Sequence, residues 1–334
     1  MKKIVALIAI LLMTSINVHA NYFNRDFKIF GTVLTDSSQI DEVAAYSNAF
    51  GFAPSTTDDI TEYLNVNNNR LLPVISINHL LLNSETGLYR HDVNNIIQAI
   101  EKADIHNYEF LFLIDEPLWM IRSACREKNL PAACNEITNN YTKTLATFRK
   151  VGELLRQRFP GSGIMHIESW AELAIQKQQR PHDHVIMLDD AEYLGFDCYG
   201  DIDSCGSHEY GYRNQIEYGT WVWDTMLVLE SQKPIDRKLF LVPGSFLMDE
   251  GPNDIDKLLK QLGFYAWVLQ ASDKIGGFGA FLWGDMVENG KYFTGARNIQ
   301  SVANFLAKTS AQPREFSCSD REKYPTESYC TSFW

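Results

Sequence analysis

Short apolar runs recur along this chain, each closed by polar, small or proline residues, and several are followed by stretches of helical periodicity. Eight runs have strand length and strand composition. They are Phe27 to Leu34, Ala49 to Pro54, Leu72 to Ile77, Phe110 to Ile114, Gly163 to Ile167, Tyr193 to Phe196, Leu239 to Val242 and Gly279 to Leu282. Amphipathic helical patterns cover Asp92 to Lys102, Asn139 to Phe159 and Asp254 to Ser272, and Val287 to Lys308 contains a final helix. Phe159-Pro160-Gly161 is a sharp helix stop. Alternating strands and helices with eight strand candidates predict a single (β/α)₈ TIM barrel. A doubly wound open sheet is the runner-up. It usually carries a Gly-rich loop after its first strand, and Gly31-Thr32-Val33 offers none. Val185 to Leu188 is an alternative sixth strand, with Tyr193 to Phe196 then an extension of it.

The two ends of the chain break the pattern. Lys2 and Lys3 precede an apolar stretch, Ile4 to Met13, that is too short to span a bilayer. Val18-His19-Ala20 resembles a cleavage site. We expect residues 1–20 to be a bacterial-type signal peptide, residues 21–309 to be the barrel, and residues 310–334 to be a C-terminal tail. Export places the mature chain in the periplasm or outside the cell. All six cysteines fall in the exported part, as three neighbouring couples, which favours disulfides over zinc. The expected pairs are Cys125–Cys134, Cys198–Cys205 and Cys318–Cys330, the last strapping the tail. Without Lys2 and Lys3 the chain has 28 basic against 42 acidic residues, a formal net charge of −14. That surface repels nucleic acid and anionic membranes. A soluble protein, expected to be a monomer with no cofactor and no bound metal, fits the pattern.

The chemistry concentrates at strand ends. The fourth strand closes on Asp115-Glu116-Pro117-Leu118-Trp119, where proline stops the strand and leaves two acids at its C-terminal end. The other strand ends supply His79, Glu168, Trp170, Asp197, Tyr199, Trp283 and Asp285. Paired carboxylates beside aromatic rings suit acid/base work on a sugar, in which one carboxyl protonates the leaving oxygen and a second group attacks, activates water or holds positive charge. On this reading Glu116 is the general acid and Asp197 the second carboxylate, with Glu168 in reserve. Asp115 tunes Glu116 or binds a hydroxyl or acetamido group. Tyr199, Trp283, His79, Glu168, Asp285, Trp119 and Trp170 line the substrate groove.

These motifs resemble the (β/α)₈-barrel glycoside hydrolases. Such enzymes commonly hold the acid/base glutamate at the end of the fourth strand, where Glu116 stands, and many floor the sugar site with a tryptophan after the eighth, where Trp283 stands. The segment Tyr193-Leu194-Gly195-Phe196-Asp197-Cys198-Tyr199 is similar to their strand-Asp-x-Tyr pattern. The chain departs from the large retaining clan, which has Asn-Glu on the fourth strand and a glutamate on the seventh. Here they are Asp115-Glu116 and Pro243-Gly244-Ser245. Chitinase-like barrels share the sixth-strand tyrosine but carry more fourth-strand acids. The Asp115, Glu116 and Asp197 arrangement resembles spherulin-4-like glycosidases most. The resemblance implies a secreted glycosidase with a carbohydrate substrate. The rival reading is a barrel that binds glycan without cleaving it, suggested by the seventh strand end. A metal-dependent hydrolase would need more strand-end histidines than His79 alone.

Overall fold

The computed structural model describes residues 28–105, 108–198, 229, 238–249, 253–271, 274–288 and 290–311. Eight parallel strands close a barrel: β1 Ile29–Leu34, β2 Ala49–Phe52, β3 Leu72–Ser76, β4 Phe110–Asp115, β5 Ser162–Ser169, β6 Tyr193–Cys198, β7 Lys238–Pro243 and β8 Ile275–Ala280. Each pairs with its neighbours in chain order, and β8 closes on β1 with Phe30 opposite Phe278. The barrel expected from the pattern is therefore the fold of the molecule. Around it run α1 Thr57–Asn67, α2 Asn94–Lys102, α3 Pro117–Lys128, α4 Pro131–Thr138, α5 Thr142–Arg158, α6 Trp170–Gln179, α7 Ile255–Ala271 and α8 Gln300–Ala311. Among the described residues no helix is long and apolar enough to cross a membrane.

Two-residue alternation along the strands divides the core in two. Ile29, Ala49, Val74, Leu111, Met165, Ile167, Tyr193, Phe240 and Val242 fill the lumen. Their neighbours Phe30, Phe50, Ile75, Phe112, Ile164, Leu194 and Leu241 pack outward against the helices. This parity sends Asp115, after Leu111 and Leu113, and Asp197, after Tyr193 and Gly195, toward the lumen. It sends His166 and Glu168, after Ile164, to the helix side.

Two expectations need correction, and one alternative falls away. The eighth strand begins at Ile275 and ends at Ala280, four residues earlier at its start than its apolar pattern suggested. Its inward positions Gly277 and Gly279 are bare because the Phe240 ring of β7 lies over them; a Cβ on Gly277 would fall 2.4 Å from that ring. Val185 to Leu188 forms no strand, so Tyr193–Cys198 is the sixth. Ahead of the final helix, Met286–Glu288 and Lys291–Thr294 form an antiparallel hairpin, which also pairs with Leu247–Met248. Cys125 and Cys134 form the expected disulfide, joining α3 to α4. Cys198 is disulfide-bonded. Cys205, Cys318 and Cys330, residues 1–20 and the tail beyond residue 311 lie outside the described residues.

Candidate active site

The end of β4 is held from three sides. Asn78, after β3, donates its side-chain amide to the Asp115 carbonyl (2.7 Å) and accepts from the Asp115 N–H (3.1 Å), continuing the sheet with a side chain. The Glu116 N–H donates to the Ile167 carbonyl of β5 (2.7 Å). Tyr89 donates its hydroxyl to the Pro117 carbonyl (3.2 Å). Pro117, with its preset φ and no N–H, begins α3. Glu116 precedes it with φ 46° and ψ 41°, a left-handed conformation that side-chain-bearing residues rarely adopt. That turn interrupts strand alternation. The carboxyl of Glu116 is hydrogen-bonded to Asp197 on β6 and to Ser169 at the end of β5.

Carboxylates crowd this corner. Burial pushes Glu116 up to about 7; the bonds from Asp197 and Ser169 pull it down, while Glu168 and Glu288 push it further up. Burial pushes Asp115 up to about 8, with Glu116, Glu168 and Glu288 adding to it. A group poised near neutrality can give or take a proton at working pH. Asp197 is buried at the same end of the barrel.

Glu168 stands behind this cluster. Its carboxyl accepts backbone N–H groups from Leu118 (3.1 Å), Trp119 (3.2 Å) and its own neighbour Ser169 (2.9 Å). It also meets His166 Nε2 at 3.3 Å. Burial pushes its pKa up to about 8, with Glu172 adding to that, although the backbone bonds oppose it. Further out, Glu172 is paired in two places with Arg122 and receives the Tyr141 hydroxyl (2.8 Å).

The structure brings Asp115, Glu116 and Asp197 together at the C-terminal end of the barrel. Glu168 adjoins them from the helix side, so it lines no groove. Trp283 is a correction. It is 5 % exposed, packs against Tyr46 and donates its indole N–H to Glu42 (2.8 Å), leaving no face for a sugar. The chain leaves the sheet after Ala280, so strand parity does not carry on to Trp283. Trp170 is likewise buried in the layer between barrel and helices. Trp119 is half-buried at the start of α3. His79 is bonded to the Pro54 carbonyl and ties the loops after β2 and β3 together. Asp285 accepts from Tyr292 (2.7 Å), Asn298 (2.7 Å) and Gly295 (2.8 Å); although burial pushes the other way, these bonds hold it below the usual carboxylate range. It braces the base of the hairpin. Tyr199 lies outside the described residues.

Four contributors escape sequence reasoning. Asn78 stands next to the more conspicuous His79. His166 sits in an apolar run. Glu288 reaches the acids electrostatically from a hairpin that no pattern announced. Phe281, two residues before Trp283, shares a lumen cavity with Asp115, Leu113, Ser76 and Val33. Phe246 packs on it, and Phe293 of the hairpin packs on Phe246, with ring centroids 5.7 and 5.1 Å apart. Among the described residues no cluster of histidine, cysteine or acids is arranged to hold a metal ion.

No family model matches the sequence, and no curated protein matches it. The fold does have solved counterparts. An endo-β-1,4-mannanase double mutant from Cellulomonas fimi superposes with a TM-score of 0.52 at 11% identity, over 87% of this chain and 73% of that one. A family 1 β-glucosidase from Thermotoga maritima gives 0.51 at 10% identity, over 84% and 87%. The same kind of enzyme in complex with cyclophellitol gives 0.50 at 12%, over 82% and 86%. The chain thus shares the (β/α)₈ barrel on which these glycoside hydrolases are built. At such identities the likeness is one of fold, and the chemistry has to be argued from the site.

Proposed function

We propose that this protein is a glycoside hydrolase with Glu116 as its general acid. One observation carries the reading. A glutamate at the C-terminal end of β4 is held in a left-handed turn against Asp197, with its pKa lifted to about 7. Unusual backbone at a strand end, joined to a shifted carboxyl, is the combination found at catalytic sites. The barrel shared with glycosidases supports it at the level of fold.

The contact between Glu116 and Asp197 shapes the mechanism. Hydrogen-bonded carboxyls hold one proton between them. Retaining pairs stand ~5–5.5 Å apart and inverting pairs ~6.5–9.5 Å, with the sugar or a water between them. A bound sugar therefore has to part them, leaving the proton on Glu116 and the charge on Asp197. Glu116 then gives its proton to the leaving oxygen as the glycosidic bond breaks. Asp197 faces the positive charge developing on the ring and either takes the proton of the water that bonds to the anomeric carbon or bonds there itself until water releases it, and Asp115 binds a substituent beside the lumen cavity. Phe281 and Phe293 are the aromatic walls in this reading. A barrel that binds glycan without cleaving it is favoured by one feature: β7 ends in Pro243-Gly244-Ser245, and Ser245 turns its hydroxyl to the Leu282 carbonyl (3.1 Å).

The test is a screen of bacterial and host polysaccharides with wild type and Glu116→Gln in parallel. Loss of the transferable proton should lower turnover of unactivated glycosides by roughly 10²–10⁴. A leaving group that needs no protonation should recover part of the loss. Equal activity in both proteins rules out the role of Glu116. Binding without release of sugar by the wild type selects the glycan-binding reading.

A further inference from the structure

We propose that Glu168, oriented by His166, is the positioning residue of Glu116: it fixes the start of α3 in place of a normal N-cap and sets how tightly Glu116 holds its proton. The inference rests on the reading of Glu116 as proton donor.

The first N–H groups of α3 have no partner within the helix, and the residue before a helix usually supplies one from its own side chain. Glu116 occupies that place and makes no such bond. Its carboxyl points to Asp197 and Ser169 instead. Glu168, from the neighbouring strand, takes the N–H groups of Leu118 and Trp119 in its stead. A side chain from β5 thus caps the helix and releases Glu116 for the site.

Hydrogen-bond counting then gives the charge of Glu168. Burial lowers the His166 pKa to about 3, so its ring is neutral. Its Nδ1 accepts from the Leu188 N–H (2.9 Å), so the ring proton sits on Nε2 and is donated to Glu168 Oε2. Oε2 also receives Leu118, and Oε1 receives Trp119 and Ser169. Four donors meet two oxygens. Burial alone favours the protonated form, with the pKa pushed up to about 8, but a proton on Glu168 would have no acceptor to point at among these four donors, so we assign the group as a carboxylate on the hydrogen bonds, favoured further by the positive end of the helix.

A fixed negative charge here bears on Glu116. Among the described residues the ionisable groups that act on Glu116 are Asp115 from β4, Glu168 from β5, Asp197 from β6, Glu288 from the hairpin and the Tyr89 phenol, with the Ser169 hydroxyl beside them. All but Tyr89 are carboxylic acids. Asp197 lowers the Glu116 pKa through its hydrogen bond, whereas Glu168 and Glu288 raise it. Of these acids, Glu168 also holds the backbone that follows Glu116.

The experiment needs no substrate, so it stands or falls separately from the glycosidase assay. Full-length protein with ¹³C-labelled glutamate carboxyls is titrated by NMR, with Glu116→Gln and Glu168→Gln assigning the two signals. In wild type the Glu168 signal should stay in its ionised position down to about pH 5, as expected for a carboxylate fed by several N–H donors. In Glu168→Gln the Glu116 midpoint should fall by about one pH unit, a tenfold loss of proton affinity. Glu168→Asp keeps the charge but shortens the reach. It should hold the Glu116 midpoint near its wild-type value while amide exchange at Leu118 and Trp119 speeds up. A wild-type Glu168 signal that titrates near neutrality overturns the proposal, even if the Gln variant fails to fold. An unmoved Glu116 midpoint in folded Glu168→Gln overturns it equally.

Discussion

Replacing Glu116 by glutamine should make the protein more stable at alkaline pH. The carboxyl has an ordinary value of 4.5 and stands at about 7 in the folded chain. The folded state thus binds the proton more tightly than the unfolded one. Below pH 4.5 the group is protonated in both states and its contribution is fully present. Between 4.5 and 7 the unfolded chain gives up its proton while the folded chain keeps it, so stability falls as pH rises. Above about 7 the loss is complete. At about 1.4 kcal/mol per pH unit the ceiling is about 3 kcal/mol, and since the side chain is only half-buried, about 1–3 kcal/mol is the expectation. Glutamine cannot ionise, so Glu116→Gln escapes the loss. Asp115 should follow in the same direction, because Glu116 is one of the charges that raise it. The assay is urea unfolding of wild type and Glu116→Gln at several pH values from 4.5 to 8.5. The gap between the two curves should open in favour of the variant as pH rises. Parallel curves across the range would show that the folded state does not shelter this proton, and the general-acid reading would lose its physical basis.

Two further outcomes follow from packing and covalent structure. Gly277→Ala should destabilise the barrel by about 1–3 kcal/mol, because its Cβ would meet both the Phe240 ring and, at 2.8 Å, the Ile29 carbonyl; thermal melts should show partial recovery in Gly277→Ala with Phe240→Leu. Replacing Cys125 and Cys134 together by alanine should cost about 2–3 kcal/mol in urea unfolding, the value for closing a loop of roughly this length, and should leave the Glu116 titration unchanged.

The strands that were readable are those whose apolar run stops at a distinct polar residue. Phe110 to Ile114 ends on two acids and a proline, and β4 ends there. The eighth strand was displaced because Gly276, Gly277 and Gly279 interrupt its hydrophobicity, and what requires them lies on other strands: the Phe240 ring over Gly277 and Gly279, and the Lys238 and Tyr193 side chains against Gly276. The lumen pair Asp115 and Asp197 was legible as strand-end acids. The facing of Glu168 was not, since Ser162–Ser169 is buried at every position and its pattern does not tell lumen from helix side. Trp283 looked like a platform because composition records an aromatic ring but not the glutamate that holds its N–H. The hairpin hid within a segment expected to contain a helix, and Gly290, with φ 76°, was its one turn residue among the described positions.

The left-handed turn at Glu116 has a consequence for how this protein could change. A residue with a side chain costs about 1–2 kcal/mol in that conformation relative to the right-handed one, whereas glycine adopts it freely. Selection for stability alone would drift toward glycine at this position and would silence the site without harming the barrel. Retention of glutamate in descendants of this sequence would therefore be a running record of selection for its carboxyl. A relative with glycine at the same place would mark a barrel that has given up this acid.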